Sequence, residues 1–151
     1  MAINTVIAVV PGIAASVGMS VAQAGALMSV WQHVRTLSFA VLWLWPGWHY
    51  RFGWFVGAYL LMVGCFLTLV LTHSPIVLVV AQIGFGWATA LLYYSSLYYA
   101  MDGSDTHGEH GGFHEALIGL GICGGPAISA LTLWLSGTPA APAAAVGTVL
   151  L

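Results

Sequence analysis

The sequence predicts an all-α, polytopic transmembrane helix bundle, with four complete spans and partial helices at both ends. Two observations carry that prediction. Of 151 residues, 60% are hydrophobic and only 4% are charged, against about a quarter charged in a soluble domain. So few ionised side chains cannot cover a water-soluble globule of this size, and a mean hydropathy of +0.97 agrees. The apolar residues also fall into four runs, each near the roughly 20 residues a helix needs to cross a hydrocarbon core of about 30 Å.

The first span is expected over about 21–45, from a Ser20 cap signal to Pro46-Gly47. The second runs over about 52–72 and stops at His73-Ser74-Pro75. The third, about 76–100, opens just after Pro75, where a missing N–H costs least. The fourth, about 113–135, stops at Ser136-Gly137. Connections this short make neighbouring helices antiparallel and adjacent. Ala2 to Val17 is apolar but interrupted by Pro11-Gly12 and too short for a comfortable span. Ala140 to Leu151 is apolar without a polar cap. Both ends are expected to be half-helices of a segment cut from something larger.

Composition excludes several functions. Two basic against four acidic residues leave no basic surface for nucleic acid or a polybasic headgroup patch. Hydrophobicity this high excludes disorder. Cys65 and Cys123 sit in separate apolar runs and read as small hydrophobes.

Trp43, Trp45, Trp48, Tyr50 and Trp54 surround the first connection, and Tyr98 and Tyr99 end the third span. Counting crossings places them on one side, as expected of an aromatic belt. Arg51, the basic residue of that connection, makes the side cytoplasmic by the positive-inside rule.

Arg35 falls near mid-membrane, about 15 Å from its helix end. A mid-membrane Arg costs about 2.5–3.5 kcal/mol on insertion scales, so it is expected to face a bundle interior or a watery cavity. Ser29, Gln32 and Thr36 lie within a turn of it. The alternative is an Arg satisfied by backbone carbonyls or a neighbouring helix. On the third span Gln82, Gly86, Thr89, Tyr93 and Ser96 trace one stripe, which marks either a helix–helix contact or a cavity wall. Gln32, Arg35, Gln82 and Tyr93 are thus the candidate substrate-pathway residues. On the fourth span Gly121 and Gly125 form a GxxxG pair that admits close packing. Pro126 removes a backbone hydrogen bond and gives a kink or hinge. Glu115, beside the cytoplasmic loop, is read as a first-turn cap favoured by the helix dipole, ahead of a proton-coupling role.

His107, His110 and His114 lie in HGEHGGFHE, which lacks the HExxH spacing that puts two imidazoles on one helix face. Its glycines favour a flexible polar loop over a metal site. His33 reads as a bonded interior side chain, and no facing His pair for haem is visible. No nucleophile–base arrangement stands out either. The sequence therefore predicts neither an enzyme nor a cofactor.

The connection WPGWHYRFG (Trp45 to Gly53), the helix end YYSSLYYAMD (Tyr93 to Asp102) and the following HEALIGLGICGGP (His114 to Pro126), in that order, resemble the C-terminal half of a prokaryotic major facilitator superfamily transporter. The resemblance covers practically the whole chain. It implies the end of helix 7, complete helices 8 to 11 and the start of helix 12 of that fold. Gly121, Gly125 and Pro126 then match the pseudo-symmetric counterpart of the family's helix-5 GxxxGP pattern. Gly47, Arg51 and Gly53 echo its helix 2–3 loop pattern without the acidic residue or the paired arginines. The resemblance implies alternating access, in which this chain supplies one wall of a midplane cavity. The implied partners are the lipid bilayer, a small-molecule solute, and a missing N-terminal half or partner membrane chain. The expected location is the inner (plasma) membrane. A non-transporting accessory subunit packed against a larger complex is the alternative.

Overall fold

The computed structural model describes residues 2–102, 107–138 and 141–150. These residues form helices α1 (Ala2–Ser16), α2 (Val21–Leu44), α3 (Phe52–Leu71), α4 (Pro75–Asp102), α5 (His107–Ser136) and α6 (Ala141–Leu150). A single 3-10 turn, Pro46–Trp48, links α2 to α3, and no strand occurs among the described residues.

Among the described residues, three helices are long and apolar enough to cross a membrane, not four: α3, α4, and α5 from Gly111 onward. Val21–Leu44 has the length, 24 residues or about 36 Å. What it lacks is apolar character, because Gln23, Gln32, His33 and Arg35 interrupt it. The residues that suggest a function are the ones that lower its hydropathy.

Local chemistry sets the boundaries. Gly18, at φ 78°, ends α1 with the paired bonds of a Schellman motif, Met19 N–H to Ala14 C=O and Gly18 N–H to Ala15 C=O. Ser20 then opens α2 with a capping box closed by Gln23. Gly137, at φ 66°, ends α5 by donating to the Leu133 carbonyl.

Two boundaries differ from expectation. α1 is one continuous helix through Pro11. Pro11 sits on its exposed side, while Ala2, Val6, Val10 and Ala14, four residues apart, are buried in the core. Packing of that stripe outweighs the hydrogen bond that Pro11 removes. α5 begins at His107, earlier than Phe113, so 107–112 is helix where the glycines suggested a loop. Residues 103–106 of the expected loop lie outside the described residues.

α4 occupies the centre, with α2 and α3 packed along it. Ring pairs Trp31–Phe85, Phe39–Tyr93 and Trp48–Tyr98 advance together, so α2 and α4 run parallel. The tightest approach is at buried Gly86, where an added Cβ would lie 2.5 Å from the Trp31 carbonyl oxygen. The α4 stripe is therefore a helix–helix contact at that level. One core cluster joins α1 to Leu27, Trp31, Phe66, Leu69, Leu78 and Phe85. A second gathers Leu42, Trp48, Ala58, Ala90 and Leu91 at the other end.

Candidate polar pathway

The connection after α2 and the end of α4 meet at one end of the bundle, as the aromatic count expects. Trp48 is not part of an outward belt, however. It is 1% exposed, donates from Nε1 to the Leu42 carbonyl at 3.1 Å, and meets Tyr94 and Tyr98 edge-on. His49 stacks on Tyr98 at 4.4 Å. Tyr50 adopts a left-handed φ of 55°, unusual for a bulky residue. It is held there by its N–H bond to Tyr99 Oη at 2.8 Å and by its hydroxyl donating to Asp102. That carboxylate contact, with Tyr98 contributing, holds the Tyr50 phenol well above the ordinary tyrosine value. Arg51 is exposed in this connection, as expected.

Deeper in the bundle, α2, α4 and α5 bring a polar cluster together. The Arg35 guanidinium carbon lies 5.3 Å from the Tyr93 ring centre and 5.4 Å from that of Phe39. Such contacts are worth about 0.5–2 kcal/mol, more as water is excluded. The Tyr93 hydroxyl donates to Glu115 Oε1 at 3.1 Å. His114 Nδ1 lies 3.5 Å from the same oxygen. Its Nε2 shares a 2.8 Å hydrogen bond with Ser96 Oγ. Arg35 Nε is buried without a hydrogen-bond partner.

Of the four expected pathway residues, the structure brings Arg35 and Tyr93 together. Gln82 lies eleven residues before Tyr93 on α4, about 16 Å along the axis. It is fully buried, and both its amide atoms lack partners. A buried amide left unpaired costs about 1–3 kcal/mol. Gln32 is exposed on α2 beside His33 and Thr36. His33 is bonded as expected, its Nδ1 2.7 Å from the Ser29 carbonyl, but it is exposed and not interior. Thr36 donates to the Gln32 carbonyl. This face of α2 is polar at mid-helix and open.

Glu115 requires a correction. It is neither in the loop nor in the first turn of its helix, because α5 starts eight residues earlier. Its carboxylate is therefore remote from the dipole end that would favour a cap, and it binds Tyr93 instead. His114 and Ser96 complete the cluster without having been singled out as pathway residues. Ser96 lay on the expected α4 stripe, and His114 adjoins Glu115, so the stripe carried on to α5 would have found both.

At Pro126, inside α5, the missing N–H leaves the Ile122 carbonyl without its usual helical donor. Asn4 of α1 fills that role, with Nδ2 donating at 3.1 Å. Gly125 is buried and Gly121 half-buried on this helix, in the region where α1 crosses it.

No known protein family, curated protein or solved structure matches the chain.

Proposed function

We propose that this chain forms one wall of a membrane transport pathway for a small solute, as a half or fragment of a major facilitator-type secondary transporter that works by alternating access. In this reading it is a multi-pass protein of the inner (plasma) membrane. The observation that carries the proposal is the open polar face of α2. Gln32, His33 and Thr36 are exposed at mid-helix beside the part-buried Arg35, on a helix packed against an apolar membrane-spanning one. Charged and amide side chains facing hydrocarbon at that depth cost several kcal/mol. Water, solute or a second half of the pathway would remove that cost. The three sequence segments that resemble the superfamily support the same assignment.

Flux of a small-solute panel into proteoliposomes tests it. Arg35→Ala is expected to reduce uptake several-fold at unchanged membrane abundance. Uptake that survives the substitution intact would refute the pathway. A non-transporting accessory subunit is the second reading, favoured by α5, whose apolar length is almost entirely unburied. A stable co-purified partner with no solute flux would support it.

A further inference from the structure

Small residues on α3 and α4 leave a groove on the outside of that helix pair. Gly64 opens it, since a Cβ there would meet nothing within 4 Å. Gly84 lets α3 come close, and Cys65 seats so tightly over it that an added Cβ would lie 2.6 Å from Sγ. Ala81, 5% exposed, completes the floor, while Leu60 and Val80, 64% and 63% exposed, form the rims. The groove has a volume of about 470 Å³, roughly fifteen times the ~30 Å³ that one water occupies. That space suits a chain and not a single methyl group.

Both helices are long and apolar enough to cross a membrane, so an outward groove between them faces hydrocarbon. On α3 the groove runs from Thr68 to Leu60, about 12 Å along the axis, and on α4 from Val77 to Gly84. Thr68 and Val77 adjoin the connection at 72–74, at headgroup level, and Leu60 and Gly84 lie near mid-membrane. The groove therefore spans one leaflet, about 15 Å of a 30 Å core, and stops. A membrane-spanning helix docked on this face would contact both leaflets, whereas the groove serves one. Thr68 Oγ1 donates back to the Gly64 carbonyl at 2.8 Å, and the other lining side chains are hydrocarbon apart from the Cys65 thiol. Water or a polar solute would find no hydrogen-bonding partner there, while methylenes would supply the dispersion contacts that the floor otherwise lacks. We propose that this groove binds one acyl chain of a phospholipid from the leaflet that meets the α3–α4 connection.

Photolabelling of the full chain in lipid nanodiscs decides this, with phosphatidylcholine carrying a diazirine midway along one acyl chain as a minor lipid component. Mass spectrometry of the digested chain is expected to find label at residues 60–68 and 77–84 at least fivefold more often, per residue, than on the exposed apolar face of α5 at Leu117, Leu120 and Leu131. Gly64→Phe, which places a ring in the opening, is expected to cut the groove label severalfold and to leave the α5 label unchanged. The wild-type ratio stands even if the variant misfolds. Equal labelling of the two faces, or full groove labelling in a folded Gly64→Phe chain, overturns the proposal. Loss of the groove label on adding an equimolar amount of free oleate would assign the groove to fatty acids and overturn the phospholipid. Solute flux enters none of these readouts, so the lipid site and the transport reading stand or fall separately.

Discussion

Replacing Gly86 by Ala probes the seam that positions Arg35. The added Cβ would lie 2.5 Å from the Trp31 carbonyl oxygen and 3.0 Å from Val34 Cβ. A backbone carbonyl cannot rotate away, so α2 and α4 must separate until the contact reaches the 3.0–3.4 Å of tight real contacts. A gap of about 0.5–1 Å forfeits a quarter to a half of each dispersion contact along the seam. Trp31 and Phe85, both almost fully buried there, lose the most. Overpacking of this kind costs about 1–3 kcal/mol. Equilibrium unfolding in bicelles measures the loss. Gly64→Ala supplies the control, because its Cβ would meet nothing within 4 Å; it is expected to leave stability unchanged or raise it by a few tenths of a kcal/mol. A Gly86→Ala protein as stable as Gly64→Ala would refute the close α2–α4 approach, and with it the placement of Arg35 over Tyr93.

Other outcomes follow from the same geometry. Asn4→Ala is expected to cost about 1 kcal/mol, by leaving the Ile122 carbonyl without a donor; in a Pro126→Ala background, where residue 126 regains its N–H, the cost should vanish, and an additive double-mutant cycle would show that the two are uncoupled. The Tyr50 phenol is held above its ordinary value chiefly by the bond to Asp102. Because the folded state holds that proton more tightly, the contribution is complete below the unfolded tyrosine value and is lost as pH rises beyond it. Asp102→Asn should therefore yield one more phenolate by ultraviolet absorbance at about pH 11, a unit above the usual tyrosine value, and an unchanged titration would exclude the Tyr50–Asp102 bond.

Much of the fold is legible where a residue has local consequences. Ser20, Gly137 and Pro75 fix helix ends through capping, a left-handed terminus and a donor-free first turn, and the boundaries at 21, 136 and 75 follow from them. Tertiary packing is what local rules miss. Pro11 and the glycines at 108, 111 and 112 look like breaks, yet the α1 helix persists because Val6 and Val10 are buried, and α5 runs through its glycines. α2 looked like a span from its length and its apolar ends, while its polar middle carries it below the apolar helices. At the site, the stripe from Gln82 to Ser96 was readable from spacing alone. That its Tyr93 end meets Glu115 and His114, while Gln82 lies about three turns away, depends on how α5 crosses α4. No periodicity within α4 encodes that crossing.

On the transport reading, the mid-helix polar face of α2 meets water inside the membrane, beside Arg35. That is tested most directly by reaction of a cysteine at Thr36 with a charged, membrane-impermeant thiol reagent, in proteoliposomes and with Cys65 and Cys123 changed to Ser. A cysteine at Leu120, 70% exposed on the apolar α5, serves as the lipid-facing reference. The cysteine at position 36 is expected to react at least tenfold faster than the one at position 120. Equal, slow reaction at both positions would mean that α2 turns this face to lipid or protein, and would refute a water-lined pathway there.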